Sequence, residues 1–431
     1  MEAMYLVSLG AILCISAVAL IVIGLPIAYA LGAAGVIVLI TDNNIPLMVF
    51  PQRVFTAINS FPLLAIVFFI MAGDLMMQGG ISRRLINIAK LFFGRFRGNL
   101  SLICFSSSAF FGAISGSALA TSAAVGGILY PEMTKNNDYD PPFASAIVAC
   151  SGTLGLMIPP SIPLILYGTL TGASVGKLFM AIIIPGFLMS IIYMGTSQFI
   201  IIRNGMALEK EKEREKVDVK KTLIDGIPAI LTPVIVLGGI YSGLFTPTES
   251  AVIASIYAII VGVFWYKELT FKTIWNALKN SAVTSAVIMF LIGTASFFGW
   301  VMTTLHIPKM VSEWFITVSP NQFVFLLMMN VLYLIAGMLM ETSSIILLVV
   351  PLIYPVAAKF GVDLVHFGVI TCTNLAIGMY TPPFGANVFL SAGMSSLTVD
   401  SVFKRIIPFV ISGIIGILLI TFIPFLSTMF I

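Results

Sequence analysis

Two stretches decide how this chain folds: Ser151 to Leu164, SGTLGLMIPPSIPL, and Asn374 to Phe389, NLAIGMYTPPFGANVF. Each lies inside a long apolar run and carries the pattern G-x-x-x-P-P. Two consecutive prolines remove two backbone donors and clash with the preceding turn, so a helix must break there. One such motif alone is explained by an ordinary kink in a membrane helix. Two of them, each in register with a small polar cluster upstream, point to a binding site. A broken helix exposes carbonyls from one half and amides from the other: the carbonyls suit a hard cation such as sodium, the amides a carboxylate.

The surrounding chain is built for lipid. Of 431 residues, 59% are hydrophobic and 9% charged, with mean hydropathy +1.08. Soluble domains run to roughly 45–50% apolar and about 25% charged residues, so a water-soluble fold is excluded. Apolar spans fall near 4–22, 26–41, 61–78, 143–170, 178–202, 227–243, 249–266, 283–304, 367–395 and 406–429. Two longer runs, 100–133 and 323–355, are interrupted by Gly112 to Thr121 and Gly337 to Ser344. Both are expected to be re-entrant hairpins of two short helices turning at the polar cluster. The first 26 residues lack a basic n-region and a small-residue cleavage site and read as the first crossing, not a removable signal.

Charge sets the orientation. With the first residues outside, this layout puts 18 of the 22 Lys and Arg in the cytoplasm and leaves Arg53, Lys177, Lys309 and Lys359 outside, so both termini are expected to be periplasmic. Residues 203–226 form the one long polar connection, a cytoplasmic linker whose EKEKEREK core reads as a solvated face. The acids accompany the bases, so nucleic acid is not expected as a partner. His306 and His366 are far apart, and Cys14, Cys104, Cys150 and Cys372 sit singly in apolar runs, without the spacing of a metal or redox site. An intramembrane enzyme would need a nucleophile with its base or a metal cluster, and neither pattern occurs.

The halves repeat. Gly112 answers Gly337, Tyr130-Pro131 answers Tyr354-Pro355, Gly155 answers Gly378, and Pro159-Pro160 answers Pro382-Pro383, at offsets of 223 to 225. Five spans per half, an odd number, make the second copy enter the membrane upside down. The expected fold is therefore an all-α polytopic membrane protein of two inverted-topology repeats, each with five spans and one re-entrant helical hairpin.

The expected first sodium site joins Ser115, Gly116 and Ser117 to Gly152, Gly155, Pro159 and Ser161; its counterpart joins Thr342, Ser343 and Ser344 to Gly378, Thr381 and Pro382. Substrate contacts are expected from Thr121, Thr153, Glu341 and Asn387. Thr121 and Asn387 could equally be structural, and Glu341 at its hairpin tip must titrate, pair or face water. No Lys or Arg falls within either motif pair, so an acid would be held by amides, hydroxyls and bound cations.

At GISRRL, SGSALATSAAVGGILYPEM, YDPPFASAIVACSGTLGLMIPPSIPLILYG, GLFTPTESA and YTPPFGAN, over nearly the whole length, the sequence resembles the large membrane (M) subunit of tripartite ATP-independent periplasmic (TRAP) transporters. The resemblance implies an elevator-type transporter of the bacterial inner membrane: a scaffold of 1–98 and 227–322, and a transport domain of 99–202 and 323–431 that slides against it. ISRRLINIAKLFF and FKTIWNALKN would be interfacial arms of the scaffold. It also implies sodium as the coupling ion with no other cofactor, a small membrane (Q) subunit, and a soluble periplasmic substrate-binding protein that delivers an organic acid such as sialic acid or a C4-dicarboxylate. The alternatives are a stand-alone ion-coupled anion transporter and a non-transporting membrane assembly subunit.

Overall fold

A computed structural model describes residues 2–42, 45–135, 138–206 and 218–431. The EKEKEREK core of the linker lies outside these described residues. The first half runs α1 (Glu2–Val22), α2 (Ile27–Asp42), α3 (Val49–Ile58), α4 (Leu64–Gln78), α5 (Ile81–Phe93), α6 (Asn99–Ser115), α7 (Ala118–Thr134), α8 (Pro141–Gly152), α9 (Leu154–Met157), α10 (Ile162–Thr171), α11 (Val175–Ala181) and α12 (Ile183–Arg203). The second runs α13 (Val219–Tyr241), α14 (Pro247–Ile260), α15 (Phe271–Thr304), α16 (Ile307–Val318), α17 (Gln322–Leu339), α18 (Thr342–Lys359), α19 (Leu364–Gly378), α20 (Ala386–Ser395), α21 (Val399–Phe422) and α22 (Phe425–Thr428). Nine helical segments among the described residues are long and apolar enough to cross a membrane.

Each long interrupted run folds as two helices meeting at its polar cluster. In the first hairpin Gly116 takes the left-handed conformation at φ 62°, and the Ser117 hydroxyl then caps α7 by accepting from the Ala120 N–H at 3.4 Å. In the second, the Glu341 carboxylate caps α18, accepting from the N–H groups of Ser343 at 2.9 Å and Ser344 at 3.3 Å. The helical arms of the first hairpin pack along each other, whereas those of the second touch sparsely and instead face α19, α10 and α16.

The proline pairs break their helices as the sequence requires. Chain turns out of α9 at Pro159-Pro160 and resumes as α10; it leaves α19 before Pro382-Pro383 and resumes as α20. Both Pro-Pro bonds are cis. The order hairpin, broken helix, long helix occurs twice, and the two copies interlock. α8 packs on α20 and α21, α12 on α21, and α10 on α18. Polar ties cross the join: Tyr193 Oη to Tyr380 Oη at 2.8 Å, the Tyr167 hydroxyl to the Leu364 carbonyl at 2.7 Å, and the Asn387 amide to the Ala149 carbonyl at 3.0 Å. Among the remaining helices α4 packs on α14, and α15 on α2, α3 and α4, while α5 also packs on α6 and α16 on α18.

α5 is amphipathic, burying Ile81, Leu85, Ile88 and Ala89 and exposing Arg83. It is pinned by an Arg84–Glu268 ion pair, with the Arg84 guanidinium 4.1 Å over the Tyr266 ring, and by a Lys90–Glu132 pair at 2.8 Å that reaches α7. FKTIWNALKN forms no element of its own. It is the first part of α15, a continuous helix of 34 residues, because neither glycine nor proline interrupts the chain from Phe271 to Leu291.

Candidate functional site

In each half a glycine of the outer hairpin helix lies against the glycine that opens the G-x-x-x-P-P motif. A Cβ on Gly112 would stand 2.7 Å from the Gly155 Cα, and one on Gly337 would stand 3.0 Å from the Gly378 Cα. Only hydrogen fits at these crossings, so backbone meets backbone. The contact brings each tip to its break: the Ile162 N–H donates to the Gly116 carbonyl and the Gly385 N–H to the Met338 carbonyl, both at 3.4 Å. A polar pair sits deeper in each half, Cys104 with Ser151 at 3.2 Å in the first, and Asn374 donating to Asn330 at 2.7 Å in the second.

Between the tips and helices α4 and α15 lies a cavity of about 200 Å³. Ser115, Gly116 and Ser117 of the first tip line it, with Glu341 and Ser343 of the second. The opposite wall is α4 and α15, through Gly73, Asp74 and Thr284. Gly73 lies directly against the tip, where a Cβ would be in van der Waals contact with the Ser115 Cα at 3.4 Å. Asp74 accepts a hydrogen bond from the Ser281 hydroxyl at 2.7 Å. Two carboxylates line this space, and no basic residue does among the described residues.

The expected residues divide accordingly. Ser115, Gly116, Ser117, Glu341 and Ser343 are at the cavity wall. Gly152, Gly155, Pro159 and Ser161 are buried behind the first tip, and Thr342, Ser344, Gly378 and Thr381 behind the second; Pro382 flanks that break but is only half-buried. Thr121 lies beneath the first tip, where its hydroxyl donates to the Ser117 carbonyl at 2.7 Å and lies 3.0 Å from Ser115 Oγ. Thr153 and Asn387 do not reach the cavity: the Thr153 hydroxyl donates to the Cys150 carbonyl at 2.7 Å, and the Asn387 amide joins the halves as above. The Thr381 hydroxyl bonds back to the Ile377 carbonyl at 2.7 Å. Among the buried hydroxyls with no hydrogen-bond partner among the described residues are Ser161 Oγ at the first break and Thr342 Oγ1 at the second tip. Buried oxygens left open in this way can be completed by a cation or a water.

Asp74 escaped the sequence reading. Its signal was present, a single carboxylate inside the otherwise apolar span 61–78, where an ionisable residue is by default a functional candidate.

A polytopic helical protein whose cavity is walled by two hairpin tips and two broken helices has the build of a solute permease. The family described as "Tripartite ATP-independent periplasmic transporter, DctM component" matches residues 14–426, and the chain belongs to it. It is 34% identical to the C4-dicarboxylate TRAP transporter large permease protein DctM of Rhodobacter capsulatus, over 95% of this chain and 96% of that one. It is 35% identical to the sialic acid TRAP transporter large permease protein SiaM of Vibrio cholerae, over 93% of each. Identity reaches 38% with the isethionate TRAP transporter permease protein DctMQ of Oleidesulfovibrio alaskensis, where the match covers 95% of this chain and 64% of that longer protein. In fold it is similar to the Alcanivorax borkumensis YdaH transporter, with TM-score 0.65 over 86% of this chain and 87% of that one at 15% identity.

Proposed function

We propose that this chain is the subunit that carries an organic acid across the bacterial inner membrane, driven by sodium. The observation that carries the reading is the cavity itself: two carboxylates, two hairpin tips and no described basic residue. An anion enters such a space only with compensating cations, because an uncompensated charge out of water is expensive. The unpartnered hydroxyls of Ser161 at the first break and Thr342 at the second tip support a cation near each tip. The relatives' names mention a C4-dicarboxylate, a sialic acid and isethionate, all organic anions, and this supports the substrate class.

The partners in this reading are a small Q subunit, as the name DctMQ suggests, and a periplasmic binding protein that delivers the acid. Residues 99–202 with 323–431 move as the elevator, and 1–98 with 227–322 stand as its scaffold. The repeats are inverted and both termini periplasmic. In a Cys14→Ser background, single cysteines at the exposed Phe96 and Asn321 then react with an impermeant thiol reagent from opposite sides of the membrane. Labelling from one side refutes the inversion.

The coupling is tested in proteoliposomes with both partners and succinate, sialic acid or isethionate as substrate. Uptake is expected only under an inward sodium gradient. Ser117→Ala and Thr342→Ala raise the half-saturating sodium concentration about tenfold, the loss of roughly 1.4 kcal/mol, with normal folded yield. Uptake of any of these acids at equal rate without sodium overturns the coupling.

A further inference from the structure

We propose that a second cavity, at the N-terminus of α5, is a carboxylate subsite through which the transported acid leaves; the direction of travel rests on the proposed function, the subsite does not. The cavity is about 280 Å³, and Gln78, Gly80, Ser82, Arg83 and Glu268 line it together with the first hairpin's inner helix at Ala123 to Ile128. Three independent features there select an oxyanion. Ser82 is only 4% exposed, and its hydroxyl has no hydrogen-bond partner among the described residues. A buried donor of this kind calls for an acceptor from outside the chain. α5 is 13 residues long and begins after Gly80, which stands in the left-handed conformation and offers no side-chain cap. Its first-turn N–H groups therefore receive no side-chain hydrogen bond, and the carboxylate beside them, that of Glu268 against Gly80, is engaged by Arg84. Arg83 is exposed at the cavity wall, with no ion-pair partner among the described residues.

Glu268 also faces this space, but Arg84 is paired with it. Arg83 and Arg84 against Glu268 leave one net positive charge. The central cavity has the opposite balance, with Asp74 and Glu341 at its wall. Met77 lines both cavities, so the two are neighbours along one wall. An acid released by its cations would pass from a wall of carboxylates to a wall of donors. The basic side is the cytoplasmic one by the positive-inside rule, which makes this the exit.

The test uses the full chain in phosphatidylcholine nanodiscs with 13C-methyl methionine, the Met77 signal being assigned by its loss in Met77→Leu. In sodium-free buffer of constant ionic strength, acetate and succinate are expected to shift this signal saturably. Arg83→Gln raises the half-saturating concentration at least tenfold, Arg83→Lys raises it less, and Ser82→Ala raises it severalfold, while the other methyl signals stay in place as evidence of folding. Thr342→Ala leaves the titration unchanged. Equal titrations in the wild type and Arg83→Gln overturn the proposal, as does no response to either acid. A Met77 shift on exchanging the disc lipid for phosphatidylglycerol, with none on adding acid, assigns the cavity to a lipid phosphate and overturns it too. Sodium-indifferent uptake beside an intact titration removes the coupling and leaves the subsite standing.

Discussion

Alanine at Gly378 is expected to abolish transport and to lower the thermal stability of the purified protein, while alanine at Gly393 changes neither. The Gly378 Cβ would stand 2.5 Å from the Gly337 Cα, a backbone atom that cannot swing away, whereas nothing lies within 4 Å of a Cβ on Gly393. Overpacking of this kind costs typically 1–3 kcal/mol. Function suffers more than stability, because relieving the clash moves the second tip off its helix break and opens the Gly385-to-Met338 hydrogen bond. Gly112→Ala has the same effect on the first tip. Thermal unfolding followed by intrinsic fluorescence, with uptake measured beside it, decides the matter; a fully active Gly378→Ala protein would show that the tip and the break are not held together.

Asp74→Asn is expected to raise the half-saturating sodium concentration tenfold or more with little change in folding. Asn keeps an oxygen to accept from Ser281 and removes only the charge. A carboxylate and a cation roughly 6 Å apart at an effective dielectric constant near 20 attract by about 3 kcal/mol, enough for an effect of this size. Asp74 stands on α4 and the tips on other helices; in the proposed elevator its pull acts only while the tips face it. The variant should therefore impair sodium binding from one side of the membrane more than from the other. Sodium titrations of uptake and of efflux measure this, and equal curves for Asp74→Asn and the wild type would take Asp74 out of the ion path.

The parts of the site made by local chemistry were legible in the sequence. Pro159-Pro160 and Pro382-Pro383 had to break their helices, and Gly116 and Ser117 carry the glycine and hydroxyl that a tight hairpin with a capped second helix needs. The paired glycines showed in the repeat offset, though their backbone contact did not. What the sequence concealed depends on long-range packing. Asp74 meets its partner Ser281 across 207 residues, and no periodicity in either helix announces that the two face each other. Thr153 and Asn387 lie in the right motifs, but their helices point them at Cys150 and Ala149, so motif membership was a poor guide to which way a side chain turns. Glu341 has a role that the sequence reading did not give it, because its carboxylate caps α18 while standing at the cavity wall.

The interlocking of the two copies bears on how the chain is made. Tyr193, Tyr167 and Ala149, all on helices from the first half, find their hydrogen-bond partners at Tyr380, Leu364 and Asn387. During synthesis these groups emerge more than 180 residues before the atoms that satisfy them. At ribosomal speeds of about 5–20 residues per second, that is an interval of about nine seconds or longer. Through that time the nascent first half has an open flank of polar atoms in the bilayer, the kind of surface that a membrane insertase or a resident chaperone would have to cover until translation is nearly finished.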